Sequence, residues 1–258
     1  MDARTSSSIP ILDLSWAENA KRPLLLEQLS TALYDVGFLY ITNHGVHSTT
    51  ITQLMDFLPR LFALPAEEKA KLSKLNTPHF LGYSGFAEET TLGKRDLREQ
   101  FDLATELPVV YRDKATTERC EVINDEAEVR SGRDFTQLYW RLRGPNQWPN
   151  LPGFKEAFLE YHDALQELSY RFVNLIEEAF GIPSGTFEHF FGKGQTSLPN
   201  SDGGPQVNRG NRTFLPPQHR LKLLRYPSTG HGDAGQGVGA HKDSSGWLTF
   251  LLYADPLF

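Results

Sequence analysis

Apolar and polar positions alternate at the start of the chain, where Ile9-Pro10-Ile11-Leu12-Asp13-Leu14 predicts a short strand. Pro23 then opens a helix with Leu26, Leu29, Leu33 and Val36 on one face, and Gly37 stops it. The run Phe38-Leu39-Tyr40-Ile41-Thr42 predicts a buried strand, ended by the turn Asn43-His44-Gly45. Helical patterns follow over residues 50–62 and 65–75, whereas residues 82–102, punctuated by Gly82, Gly85 and Gly93, read as irregular. The clearest periodicity is Phe154, Phe158, Tyr161, Leu165, Leu168, Phe172, Ile176 and Ala179, the 3/4 spacing of one helical face. That helix ends at Gly181 with Pro183 beyond, and at 1.5 Å per residue it is about 40 Å long. Its stripe could seed a coiled coil, but a helix backing a sheet is the reading adopted. Strand signals dominate the last part, over residues 219–226, 238–243 and 247–253.

These patterns divide the chain into an α+β region (1–111), a stretch of mixed charge with few large apolar residues (112–134), the long-helix region (135–191), a Gly-, Pro-, Asn-, Gln- and Ser-rich stretch (192–218) and a run of strands (219–258). The charged stretch reads as a solvated insertion, and the Gly/Pro-rich one as a boundary or an exposed flexible loop. Within 258 residues, 26 Lys and Arg against 32 Asp and Glu give a net charge of −6. That balance argues against a nucleic-acid binder, which needs a basic face to displace counterions, and gives no support for an anionic membrane as partner. No run approaches the roughly 18 apolar residues of a membrane span. Cys120 is the single cysteine, so neither an internal disulfide nor a cysteine zinc cluster can form. The polar start of the chain lacks the apolar stretch of a signal peptide, and a reducing, cytoplasmic location is the expectation.

One short pattern carries chemistry. In His241-Lys242-Asp243 an imidazole and a carboxylate stand two residues apart, and on a strand they point to the same face. A neutral imidazole and a carboxylate are two parts of the two-His, one-carboxylate set that holds non-haem Fe(II). Spacing alone leaves His241 as either a metal ligand or a surface histidine on a sheet edge. A second such tripeptide, His231-Gly232-Asp233, lies in a loop with Gly230, Gly235 and Gly237, where nothing fixes its side chains relative to each other.

The surroundings of the first tripeptide add to it. Leu221-Lys222-Leu223-Leu224-Arg225-Tyr226-Pro227, then Gln236-Gly237-Val238-Gly239-Ala240-His241-Lys242-Asp243, then Trp247-Leu248-Thr249-Phe250-Leu251-Leu252 resembles the iron-binding core of the Fe(II)/2-oxoglutarate-dependent dioxygenases, in the branch that includes isopenicillin N synthase. Residues 9–14, residues 37–46 and Leu64-Pro65-Ala66-Glu67-Glu68-Lys69 are similar, in order, to that branch's N-terminal region. Gly82-Tyr83, Glu89, Gly93-Lys94-Arg95-Asp96, Glu99-Gln100-Phe101-Asp102 and Gly144-Pro145-Asn146-Gln147-Trp148-Pro149 continue the match.

The resemblance implies a double-stranded β-helix, or jelly-roll, core beginning in residues 219–258, with an N-terminal α+β extension over residues 1–111 and the long helix behind the sheet. It implies His241 and Asp243 as iron ligands and Tyr226 as a contact of 2-oxoglutarate. The asparagine that often precedes that tyrosine by two is Leu224 here. His44 reads as part of a strand-ending turn, and Tyr83 and Phe101, which could line a substrate pocket, read as core. The family's second iron-binding His and its Arg-x-Ser, which pairs with the distal carboxylate of 2-oxoglutarate, lie beyond Phe258, so the jelly-roll is expected to be incomplete here, with residues 247–253 left as an unpaired apolar edge. On that expectation the 258-residue polypeptide is poorly soluble and without turnover. The implied reaction is oxidation of a small organic substrate with O₂ and 2-oxoglutarate, by hydroxylation, desaturation or cyclisation, in natural-product biosynthesis. Two alternatives stand beside it: a truncated, non-catalytic relative with a binding role, and an iron oxidase that does not use 2-oxoglutarate.

Overall fold

The computed structural model describes residues 8–112, 134–187, 218–228, 235–242 and 248–253. Most of the charged stretch, nearly all of the Gly/Pro-rich stretch, and His231, Asp233, Asp243 and Trp247 lie outside the described residues. Two units divide the chain, one of residues 1–49 and 163–217, the other of residues 50–162 and 218–258.

In the first unit, β1 (Ile11–Asp13) pairs in parallel with β2 (Tyr40–Thr42), Leu12 lying opposite Ile41. A parallel pair needs a crossover, and α1 (Arg22–Thr31), with Pro23 in its first turn, supplies it. A single π-helical turn, Ala32–Val36, continues α1 and closes at Gly37, whose φ of +81° suits a glycine. Of the expected Leu26, Leu29, Leu33 and Val36, Leu29 is fully buried and the other three are half-buried, and it is joined on the buried face by Leu25 and Ala32. Leu25, Leu29 and Ala32 are themselves spaced by four and three, and the π turn breaks the 3.6 period on which the expected face depends. The expected buried strand is also shorter and more open: β2 begins only at Tyr40, Phe38 and Tyr40 are 73% and 60% exposed, and among the described residues β2 pairs with β1 alone. The turn after it takes Asn43 and Gly45 at positive φ. His44 accepts the Val46 amide on Nδ1, and its carbonyl accepts from Arg171 at 2.7 Å.

In the second unit, β3 (Gly82–Ser84), β6 (Glu99–Ala104) and β7 (Arg220–Arg225) form an antiparallel sheet in the order β3-β6-β7. Between β3 and β6 stands a small hairpin, β4 (Thr90–Thr91) and β5 (Lys94–Arg95), whose turn residues Leu92 and Gly93 both have positive φ, as a type I′ turn requires. The expectation of an irregular region over residues 82–102 is therefore corrected: it holds the central strand of the sheet. Every residue of β6 is buried. On one face Phe101 packs against Phe62 of α2 (Ser48–Phe62), ring centroids 5.8 Å apart, and against Tyr83 at 5.0 Å. On the other, Gln100 donates to Asp102 at 2.7 Å. Helix α3 (Ala66–Lys71) sends Lys69 to Glu99.

The turn cluster before the long helix brackets this sheet. Asn146 accepts from the Ala104 amide at 2.8 Å and donates to the Ala104 carbonyl at 2.7 Å, pairing the end of β6 as a neighbouring strand would. Gln147 donates to the carbonyls of Ser73 and Leu81. Gly82 sits at φ +133°, and a Cβ there would meet the Leu72 carbonyl at 2.2 Å. Helix α4 (Phe154–Ala179) forms as its periodicity predicts, and the boundary between the units falls within it. Its first turns place Phe154 and Phe158 against Trp148, and His162 within 3.2 Å of Thr105 Oγ1, just past β6.

Two expectations for the last part fail among the described residues. Residues 238–242 and 248–253 form no strand, and Leu251 and Tyr253 are 85% and 78% exposed. An apolar run becomes a strand only when its amides and carbonyls find a partner strand, and none of the described strands pairs with these segments. The sheet among the described residues is accordingly open and three-stranded, with no closed barrel.

Candidate functional site

The candidate site is built around the β4–β5 hairpin of the second unit. The tight turn at Leu92-Gly93 sends the chain back so that Asp96, only 1% exposed, follows β5 directly. Its carboxylate accepts from Thr91 Oγ1 at 2.7 Å, from Gln236 Nε2 at 2.8 Å and from the Gly239 amide at 3.2 Å. Burial alone would raise the pKa of Asp96, but these hydrogen bonds outweigh it and hold the group below its ordinary value, as a carboxylate. The Leu97 amide donates to the Gln236 carbonyl at 2.8 Å, so the loop 235–242 is held by backbone as well as side chain. Gly239 is buried, and a Cβ on it would stand 2.7 Å from Thr91 Cγ2 and 2.8 Å from Gln236 Nε2.

Two residues beyond Gly239 stands His241. Its side chain is exposed, it does not lie on a strand, and its Nδ1 is 2.8 Å from the Gly239 carbonyl. A carbonyl can only accept, so Nδ1 carries a proton, and in the neutral tautomer this leaves the lone pair on Nε2. Tyr226, the residue after β7, is half exposed, and a Cβ on Gly237 would lie 3.3 Å from its ring. Arg98 reaches the same place from the start of β6. Burial opposes its charge, and hydrogen bonds to Tyr226 and Glu89, the latter 2.9 Å away, more than restore it. Glu89 in turn accepts from Lys74 at 2.6 Å and from Gln100 at 3.1 Å.

The structure thus brings Tyr226 and the loop bearing His241 together on one hairpin, while Asp243 lies outside the described residues. Phe101 is core and fully buried, whereas Tyr83 is half-buried and packs on it, its hydroxyl donating to Glu99 at 2.6 Å. Sequence reasoning gave no role to Thr91, Asp96, Arg98, Gln236 or Gly239. Their signal was present in Gly93-Lys94-Arg95-Asp96 and Gln236-Gly237-Val238-Gly239, but a hydrogen bond from residue 96 to residue 239 has no local periodicity to announce it.

A family model described as non-haem dioxygenase in morphine synthesis, N-terminal, matches residues 9–151, more than half of the chain. The 2-oxoglutarate-dependent dioxygenase frbJ of Dothideomycetidae sp. (strain 11243) is 37% identical over 252 residues, which take in 96% of this chain and 56% of frbJ. The chain belongs to the 2-oxoglutarate-dependent dioxygenase family. The dioxygenase thnC of Trichoderma harzianum is a further relative, 30% identical over 95% of this chain and 63% of its own length. This member therefore spans less than two thirds of the length of these curated relatives. Its fold is similar to that of JOX2, solved in complex with 2OG, Fe and JA, with a TM-score of 0.56 and 18% identity over 92% of this chain and 53% of JOX2.

Fe(II) and 2-oxoglutarate are the cofactor and cosubstrate of this family. The described residues meet part of what they require. His241 has the tautomer that a divalent metal takes, with the second ring nitrogen held by a carbonyl. The Tyr226 hydroxyl beside the Arg98 guanidinium could meet an anionic oxygen. Among the described residues no group of three His, Cys, Asp or Glu side chains stands close enough to hold a metal.

Proposed function

We propose that the protein is an Fe(II)/2-oxoglutarate-dependent oxygenase of a small organic substrate, with His241 and Asp243 as iron ligands and Tyr226 as a contact of 2-oxoglutarate. The observation that carries this reading is His241 itself: a histidine of the family's His-x-Asp pattern, its lone pair fixed on Nε2 by the Gly239 carbonyl. Iron held by these residues would supply the oxidation of an unactivated C–H bond by O₂, with 2-oxoglutarate converted to succinate and CO₂. The protein's own part is orientation. Gly239 holds the His241 ring, and Tyr226, beside Arg98, donates its phenolic proton toward an oxoacid oxygen. Leu224 stands where the family often has asparagine, so Tyr226 acts here without that polar neighbour.

The sheet β3-β6-β7 is read as the beginning of the family's jelly-roll. A natural-product intermediate is the favoured substrate, supported by the morphine-synthesis name of the matching family model. The single cysteine suits a reducing, cytoplasmic location. The test is succinate formation from 2-oxoglutarate under air with added Fe(II), on the protein expressed from its complete gene. Succinate is expected from the natural sequence and is expected to fall to background in His241→Ala and Asp243→Ala. Undiminished turnover in both variants would overturn the ligand assignment, and substrate oxidation without succinate would overturn the use of 2-oxoglutarate.

A further inference from the structure

We infer that Asp96 is a positioning residue for His241, acting through the backbone of Gly239. The inference rests on the reading of His241 as a metal ligand. The path is continuous: Asp96 Oδ1 accepts from the Gly239 amide at 3.2 Å, and the Gly239 carbonyl meets His241 Nδ1 at 2.8 Å. One glycine is therefore gripped on its N–H by a buried carboxylate and grips the imidazole with its C=O.

Each end of the path is fixed by further contacts. Asp96 is 1% exposed and stands on the tight β4–β5 hairpin, with its other oxygen taken by Thr91 Oγ1 at 2.7 Å. Gln236 adds a second tether, donating to Asp96 Oδ1 at 2.8 Å and to the Thr91 carbonyl at 3.3 Å while its own carbonyl accepts from Leu97. Gly239 packs so closely on Thr91 that no side chain fits there. His241 is exposed and stands on a chain segment that forms no strand, so the Gly239 carbonyl is a contact that bears directly on the orientation of its ring. Through Gly239, the buried carboxylate on the hairpin bears on that orientation and on the tautomer. Groups that orient a metal-binding imidazole in this way are typically worth about ten- to a hundred-fold in metal affinity.

The test compares the natural sequence with Asp96→Ala, Asp96→Asn and Gln236→Ala in the protein expressed from its complete gene. One readout needs no metal: the nitrogen chemical shifts of the His241 ring by NMR, which report whether the proton sits on Nδ1. The other is Co(II) affinity under anaerobic conditions, with far-UV circular dichroism as a control for folding. The Nδ1–H form is expected to dominate in the natural sequence and to give way to a mixture in Asp96→Ala, with Co(II) binding weakened about ten- to a hundred-fold. Asp96→Asn keeps an oxygen for Gly239 and is expected to restore most of both. Gln236→Ala, on the loop and away from the core, is expected to move both in the same direction by less, and it keeps the proposal exposed to refutation if Asp96→Ala fails to fold. Unchanged tautomer and affinity in the folded variants would overturn the proposal while leaving His241 as a ligand. A tautomer that shifts in a protein that never binds Co(II) would support the positioning and overturn the metal reading instead.

Discussion

Glu99 shows what a single buried charge contributes in this protein. Its side chain is 5% exposed and accepts from Lys69 at 3.0 Å, from Arg225 at 2.8 Å and from the Tyr83 hydroxyl at 2.6 Å. Burial opposes the charge, but these three donors outweigh it and hold the carboxyl below its ordinary pKa. Burial, with the carboxylate beside it, pushes the Tyr83 phenol up, so Tyr83 keeps its proton and donates. Glu99→Ala leaves the largely buried Lys69 ammonium and the Tyr83 hydroxyl facing the gap, while the half-exposed Arg225 can turn to water, and such a loss costs about 3 kcal/mol. Tyr83→Phe removes one charge-assisted hydrogen bond and keeps the ring on Phe101, at a cost of about 1.5–3 kcal/mol. Urea unfolding should rank the two in that order, and a Tyr83→Phe variant less stable than Glu99→Ala would contradict the network. The same residue explains a limit of the sequence. Glu99-Gln100-Phe101-Asp102 was legible as a family match, yet its polar letters hid a strand, because Glu99, Gln100 and Asp102 are buried by pairing with one another and with Lys69, Arg225 and Glu89 rather than by being apolar.

Elements that a single periodicity specifies were the legible ones. Helix α4 carries its apolar face over the whole of Phe154–Ala179, and β7 (Arg220–Arg225) lies within the stretch where strand propensity is high. What pattern could not show was which segments meet. β6 is central because β3 and β7 both pair with it, and β7 is more than a hundred residues away in the chain. The bracket of Asn146 on Ala104 belongs to the same class of long-range contact. Ala104 is fully buried, so Asn146→Ala strands both its amide and its carbonyl. At about 1–3 kcal/mol for each unsatisfied group, the expected loss is about 2–4 kcal/mol, after partial relaxation. It should appear as a lower urea midpoint with an unchanged slope, since the surface exposed on unfolding is the same. A midpoint shift no larger than that of an exposed control such as Asn150→Ala would show that the bracket is dispensable.

Among the described residues the perturbed carboxyl groups and His219 share one direction, which fixes the response to acid. Asp13 and Glu178 in the first unit, and Glu89, Asp96 and Glu99 in the second, all have lowered pKa values. Their contribution is present above the unfolded values of 3.8 and 4.5 and is lost as pH falls below them. His219 acts earlier. Burial first, and the neighbouring His162 second, push it down from 6.5 to about 4, so the folded protein keeps it neutral where the unfolded chain would protonate it. Between pH 6.5 and 4 the unfolded state therefore binds more protons, and stability falls as acid is added. Its backbone is held from both sides, with the amide donating to Thr105 Oγ1 at 3.0 Å and the carbonyl accepting from the Thr105 amide at 2.9 Å, so His219 cannot simply swing out to be hydrated without breaking the end of the β6–β7 ladder. The urea midpoint of the natural sequence should then be level above pH 6.5 and decline down to pH 4, before the carboxylates add their own loss. His219→Gln has no proton to gain, and its midpoint should stay level until the carboxylate range is reached. A decline over the same interval in His219→Gln would assign the acid sensitivity to another group, and the His162→Gln variant would then identify whether its partner carries it.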